Sequence, residues 1–584
     1  MDIREFLRRS FIYREPEEYD FSLKPHEKET VKKHPDFSEE EMEQNGNYVS
    51  DTKVLEYTEE KKIFPSIEVN LEYLKTRYNS LVNSDVVIRE FNLTARNKQF
   101  KAFLFYIDGM VDTKQINDFV LKPLMLRNSA NTYADTENQI ISEAVTNNIT
   151  VRKIKKVDMA EYIYNCLIPQ NDVKKRTEFS EIFNSINSGN CALFIDTLEV
   201  CFDIDVKGFK QRSIENPKNE IVVRGSQEAF TEAIRTNTSL LRRIVNNENL
   251  MIENIEVGSV SKTKCAVCYM KNIANNDLVA EVRYRLNNIK VDYVLSSGQI
   301  EQLIEDAPKS LLPQMIATER PDRAADLILE GRVVIITNGV PYVLIAPGLL
   351  FDFLASPEDL NLKYQFSNFF KALRFLGLLI AIFLPGVYMA IATVHSEFIP
   401  TELLLVIMGS RQSVPFPVFF EILIMEVSLE LIREAGVRVP TPLGQTIGIV
   451  GALVLGQAAV DASIVSPILI IIVAFTGIAS FTIPDFSLGL YCRLTRFLYI
   501  ILGYLFGFVG IAFGLFINLV VVCNMKSFGV SYLAPLLPNV GNQTKLGLFL
   551  VAPWKRESRA AFLATKKEKK EQHISMAWKY PKKT

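Results

Sequence analysis
Residues 443–460 read LGQTIGIVGALVLGQAAV and place Gly444, Gly448, Ala452 and Gly456 four apart. On a helix this spacing stacks small residues on one face, where a neighbouring helix can approach closely. The same stretch carries Gln445 and Gln457, and Asp461 follows one turn on. Polar side chains in a membrane span face a protein interior or a water-filled cavity, so the chemistry on offer is ion passage. Between the polar ends, Ile449, Val450, Leu453 and Val454 would form an apolar constriction that gates by dewetting. The candidate pore lining or gate is Gly448, Ile449, Val450, Ala452, Leu453, Val454, Gln457 and Asp461. A small-residue face serves packing within one chain as well as between chains, and spacing alone leaves both readings open.

A second set of candidates lies upstream, where Glu421, Glu426, Glu430 and Glu434 recur at near-helical spacing. Repeated as a ring by symmetry, they would concentrate cations at a pore mouth. Taken singly, each is explained by solvation or by pairing with Arg411, Arg433 or Arg438. Residues 416–434 put Glu426, Glu430, Arg433 and Glu434 on one stripe, with Ile424, Leu431 and Ile432 elsewhere. The segment is either an amphipathic helix at the membrane interface or a spanning helix whose charged face meets water. Charges at helical spacing beside an apolar face favour the interfacial form.

The remaining reactive groups point away from an enzyme. The four histidines, His26, His34, His395 and His573, are scattered. Seven cysteines form no framework, and the Cys265–Cys268 CxxC sits inside the strand-like run TKCAVCYMKNI, so they read as reduced structural thiols. No GxxxxGK[ST] loop occurs, and Asp108, Asp196 and Asp203 are too dispersed for a metal site. No catalytic residue, metal or cofactor is expected. A formal net charge of -2 gives no pull toward nucleic acid. In TERPDR, the acids Glu319 and Asp322 suit the start of a helix, with Arg320 and Arg323 as local partners; docking to another subunit is the functional alternative.

Several elements must position these groups. Residues 1–70 are polar, rich in Glu, Lys and Pro, and read as a disordered leader. Residues 71–215 and 216–350 read as two α/β subdomains of ordinary size. Strands are expected at 98–107, 192–195, 200–204, 251–257, 264–270, 333–337 and 341–345, the last two around the hairpin dipeptide Asn338-Gly339. Asp108-Gly109 should end the first strand, and Ser226 should cap the helix QEAFTEAIRTNTSLLRRIV.

The fold class is thus an α/β cytoplasmic region of two subdomains followed by an all-α transmembrane bundle over 351–525. Spans are expected near 375–394, 443–460, 464–483 and 497–522. The N-terminus lacks the apolar core of an export signal. Four spans put Lys363, Lys371 and Arg374 on the inner side with the basic tail, 526–584, which holds Lys566, Lys567, Lys569, Lys570, Lys579, Lys582 and Lys583. Arg493 and Arg496 then read as interfacial anchors outside.

Taken together, these pieces resemble the A subunit of the GerA-type spore germinant receptors of endospore-forming Bacillus and Clostridium relatives. The resemblance covers roughly 75–555. It rests on RGSQEAFTEAIRTNTSLLRRI from Arg224, QMIATERPDRAADLILEGRVVIITNG from Gln314, SPEDL from Ser356, VPFPVFFEILIMEVSLELIREAGVRVPTPLGQTIGIVGALVLGQAAVDASIVSP from Val414, and SFGVSYLAPLLP from Ser527. It implies a multi-pass protein of the spore inner membrane with its N- and C-terminal regions cytoplasmic. It also implies work beside a nutrient-binding B subunit and a lipoprotein C subunit, and oligomerisation, with a pentamer as candidate, into a nutrient-gated cation channel. The rival is a ligand-sensing α/β subunit whose spans merely anchor it. A transporter is disfavoured because the spans show no internal repeat.

Overall fold
The computed structural model describes residues 21–23, 62–95, 98–126, 159–208, 216–438, 456–537, 550–556 and 558–570. Lobe 1 forms around strands whose alternating apolar residues can fill both faces of a sheet. They are β1 (Val86–Ala95), β2 (Lys98–Ile107), β3 (Val173–Arg176), β4 (Cys191–Ile195) and β5 (Cys201–Ile204), with helices α1 (Ile67–Tyr78) and α2 (Phe179–Asn187) packed on them. The order is β1-β2-β4-β5-β3, and every pairing is antiparallel. Gly109 takes φ 88°, so Asp108-Gly109 ends β2 as its turn chemistry requires. Ile63 and Ile67 are buried in this lobe's core, within the segment that composition reads as leader.

Lobe 2 repeats the plan. It holds α3 (Ile234–Ile244), β6 (Leu250–Val257), β7 (Thr263–Met270), α4 (Asn276–Asn287), α5 (Ser297–Ile304), β8 (Ile316–Thr318), α6 (Pro321–Glu330), β9 (Val333–Thr337) and β10 (Val343–Ala346). Its antiparallel order, β6-β7-β9-β10-β8, matches lobe 1 strand for strand. Residues 338–342 join β9 to β10, and Gly339 takes the positive φ, 90°, that the dipeptide predicts. The helix expected after Ser226 starts seven residues late, at Ile234. The intervening chain is drawn out because Phe230 N donates to Glu319 O, Gly339 N to Glu232 O, and Asn237 bonds Thr231 from within the helix. Tertiary partners outcompete helix propensity there.

The lobes are riveted together. Arg242 of α3, 2% exposed, donates from Nε and Nη2 to both carboxylate oxygens of Asp85, 1% exposed, and from Nη2 to Asn83. Ser84 N reaches Ile252 O of β6 at 3.0 Å. All seven cysteines are free thiols, and Cys265 and Cys268 are buried in β7.

Beyond lobe 2 the chain becomes helical: α7 (Tyr364–Thr393), α8 (Thr401–Arg411), α9 (Val418–Arg438), α10 (Pro467–Phe481) and α11 (Phe486–Asn524). Two of these, α7 and α11, are long and apolar enough to cross a bilayer. The expected span at 464–483 is the 15-residue α10, and the segment at 416–434 is helical as α9. Of residues 443–460, only 456–460 fall among the described residues.

α11 is not a rod. Gly507 has φ 60° and ψ -140°, and the helix doubles back there. Tyr491 Oη donates to Asn518 Oδ1 at 2.8 Å, although a straight helix would hold those residues roughly 40 Å apart. The two arms, 486–506 and 508–524, are each roughly 25–30 Å long. Both ends return to lobe 2, where Ser527 Oγ donates to Gln314 O at 2.6 Å and Ser310 Oγ reaches Met525 Sδ at 3.6 Å. At the far end, His395, just past α7, meets Phe508. After the short hairpin β11 (Lys526–Ser527) and β12 (Val530–Ser531), residues 558–570 lie along lobe 2.

Candidate functional site
The helices bring their ionised side chains together. α7 leaves lobe 2, tied down by Arg374, whose two Nη groups donate to Asp359. It crosses α11 where both have glycine: a Cβ on Gly503 would lie 2.5 Å from the Gly386 carbonyl oxygen. That approach admits no larger side chain. α9 and α10 both run back toward lobe 2, since the N-terminal ends meet through Glu421 and Ser466 and the later turns through Arg433 and Ser480.

Each expected glutamate of α9 can now be placed. Glu421 is 1% exposed and accepts from Arg411 Nη2 at 3.2 Å and from Ser466 N at 3.1 Å. Glu426 is fully buried and pairs with the equally buried Arg496 of α11. Glu430, partly exposed, accepts from Arg433 Nη1 at 3.3 Å and Arg493 Nη1 at 3.2 Å. Arg433 Nη2 donates to Ser480 Oγ at 2.8 Å, and Glu434 is exposed. The charged stripe thus faces α10 and α11, while Ile424, Val427 and Leu431 on the opposite face are exposed. Arg496 is no interfacial anchor, because its guanidinium lies at the centre of the helical packing.

Sequence reasoning missed this cross-helix ladder. A signal exists: Glu426 and Glu430 are four apart on one helix, and Arg493 and Arg496 three apart on another, which allows matched faces. The ladder is incompletely satisfied. Glu426 Oε1, Arg496 Nε and Nη2, and Arg433 Nε are buried with no partner among the described residues, as are Ser466 Oγ and Tyr388 Oη.

Of the small-residue segment, Gly456 is buried, and a Cβ on it would lie 3.8 Å from Ile470 Cγ2 of α10, so this one position packs within the chain. Gln457 and Asp461 are exposed and bond each other at 3.0 Å. Gly444, Gly448, Ile449, Val450, Ala452, Leu453 and Val454 lie outside the described residues. No group of three metal-ligating side chains gathers among the described residues.

Where lobe 2 meets α11, acids cluster. Burial, then Glu305 and Asp485, push the Glu301 carboxyl up to about 8. Burial and Asp306 push Glu305 to about 7.

With this geometry in view, the comparisons with known proteins are direct. The family described as Bacillus/Clostridium GerA spore germination protein matches residues 72–562. Spore germination protein KA of Bacillus subtilis is 39% identical over 497 residues, covering 85% of this chain and 86% of that protein. Spore germination protein GerLA of Bacillus cereus is 33% identical over 483 residues, covering 83% and 93%. The crystal structure of the N-terminal domain of the A subunit of the Bacillus megaterium spore germinant receptor GerK3 aligns at 30% identity and a TM-score of 0.35, over 50% of this chain and 98% of that one. The chain therefore belongs to the GerA family of spore germination proteins, as a receptor A subunit.

Proposed function
We propose that this chain is the A subunit of a nutrient germinant receptor in the spore inner membrane. Its copies assemble, with a pentamer as the working model, into a nutrient-gated cation channel, and its role is not enzymatic. The observation that carries the reading is the inverted polarity of the helical region. Glutamates and arginines meet between helices, while Leu494, Leu498, Leu505, Val509 and Phe513 are exposed on the outside. A bilayer selects that arrangement, and water does not.

The same contacts bear on topology. Residues 558–570 pack on lobe 2, which supports one side of the membrane for both, the cytoplasmic side in this reading. On this reading α7, α9, α10 and the two arms of α11 would each pass through the bilayer, while most of the expected span at 443–460 lies outside the described residues.

Pore geometry is supported by Gln457 and Asp461, which the single chain leaves exposed although Gly456 beside them is packed. The helical spacing 450, 454, 457 and 461 puts Val450 and Val454 on that same stripe. Around a symmetry axis, the stripe would line a passage with an apolar constriction inside a polar mouth. The B subunit supplies nutrient binding and the lipoprotein C subunit completes the receptor. The anchored-sensor alternative has less support, because the Arg242–Asp85 contact between the lobes is a buried ion pair and leaves no ligand cleft at that point.

Potassium flux from liposomes carrying the purified full-length chain tests the reading. Val450→Ser or Val454→Ser should raise the nutrient-independent leak at normal protein abundance. Tight vesicles for the native chain and for both variants, at normal abundance, would reduce this subunit to an anchored sensor.

A further inference from the structure
A groove of about 390 Å³ opens where three separate parts of the chain meet. α1 supplies Tyr73, Thr76 and Arg77, lobe 2 supplies Asn249, Lys271 and Asn272, and the C-terminal segment supplies Lys566. That segment is a strap. Its backbone closes on itself where Arg559 N donates to Glu568 O at 2.7 Å, and Arg559 Nε reaches Leu329 O at 2.9 Å. Asn275 Nδ2 donates to Ala564 O, Lys566 N to Ile273 O, and Lys570 pairs with Glu330. Leu563 and Thr565 are buried under it.

The charges at this joint do not balance. Arg77, Lys271 and Lys566 converge, and no carboxylate among the described residues lines the groove. Glu248, next in sequence to the lining residue Asn249, is already engaged by Arg77 Nη2 at 2.7 Å. Arg77 Nε is buried without an acceptor. Lys566 Nζ is held at 2.7 Å on the Lys271 carbonyl oxygen, and burial together with the Lys271 ammonium pushes Lys566 below its usual range. Folding thus gathers cations from three elements, which repel each other unless an anion joins them. A guanidinium and two ammonium groups, with the Asn249 and Asn272 amides beside them, suit a phosphate group. The volume falls at the low end for small-molecule sites and leaves room beyond phosphate itself.

We propose that this groove binds a small phosphate-bearing anion, which clasps the C-terminal strap to both lobes. The site is separate from the helical interior and does not depend on channel activity.

Thermal unfolding of the purified full-length chain in detergent tests it, with inorganic phosphate compared against chloride at equal ionic strength. At ten times its Kd, phosphate should raise Tm by about 2–4 °C. Tryptic cleavage within the strap should slow by roughly tenfold. A larger shift with glycerol phosphate would assign the site to phosphate esters, and an equal one to the phosphate group alone. Lys271→Ala keeps the backbone carbonyl that holds Lys566, so it should fold, and its Tm in chloride should match or exceed the native value. Its phosphate shift should vanish, as should that of Lys566→Gln. No shift beyond chloride in the native chain, or an undiminished one in Lys271→Ala, overturns the proposal.

Discussion
Two fully buried arginine–carboxylate pairs lie in different parts of the molecule and are built differently. Between the lobes, Arg242 makes a fork to both oxygens of Asp85, and Asn83 takes a further N–H, so that Nη1 alone lacks a partner. Among the helices, Arg496 meets Glu426 through one nitrogen, and Nε, Nη2 and the second carboxylate oxygen are left over. A buried pair repays its desolvation only when geometry is good and the remaining polar atoms are satisfied. The interlobe pair meets that condition and behaves as a rivet. The helical pair does not, so its stability depends on what its neighbours supply.

The largest expected effect comes from the rivet. Asp85→Ala leaves Arg242 buried without its counter-charge and should cost about 3–5 kcal/mol, read by thermal or denaturant unfolding of the full-length chain. The apolar double variant Asp85→Leu/Arg242→Met should recover much of it. A single variant within about 1 kcal/mol of native would show that the two pairs are not different in kind.

In the helices, Arg496→Leu should cost less, about 2–3 kcal/mol, because Glu426 can take up a proton when its partner goes. Receptor abundance in spores should fall, and Glu426→Leu/Arg496→Leu should restore it. If the double variant is abundant but leaks potassium, the ladder holds the closed state. If abundance stays low, the pair is needed for folding, and the contrast with the rivet disappears.

Gly507→Ala should follow at about 1–3 kcal/mol, since φ 60° with ψ -140° is a conformation that non-glycine residues resist. A native-like Tm would mean that the α11 hairpin opens without penalty.

The same contrast explains what was legible in the residues. β9 is buried at every position and β2 from Ala102 to Phe105, so both appear in the sequence as short apolar runs at their observed bounds, and Asn338-Gly339 marks its own hairpin. The start of α3 was hidden because its extended lead-in depends on Glu319 and Gly339, both about a hundred residues away. The turn in α11 was hidden for a different reason. Gly503, Gly507, Gly510 and Gly514 all sit in one apolar run, and three of them serve close packing, so glycine alone does not mark where the chain reverses. The pairing of Glu426 with Arg496 depends on how two helices are rotated, which no single helix records.

The smallest effect lies at the seam between the two regions, where α5 brings Glu301 and Glu305 toward Asp485 at the start of α11. Burial first, then the neighbouring acids, raises Glu301 from 4.5 to about 8. A carboxyl with a raised folded-state pKa holds its proton more tightly when folded than when unfolded. Its contribution is therefore fully present below the unfolded value and is lost as pH rises through about 8. The seam should loosen in mildly alkaline solution. Glu301→Gln keeps the shape and removes the charge, so its Tm should match the native chain at pH 5 and exceed it at pH 9. Glu305, raised to about 7, still titrates in that variant and leaves a shallower slope. Glu301 is partly open to solvent, which screens the effect and keeps the gain small. Native and variant Tm curves that run parallel from pH 5 to pH 9 would show that the seam carries no proton linkage at this carboxyl.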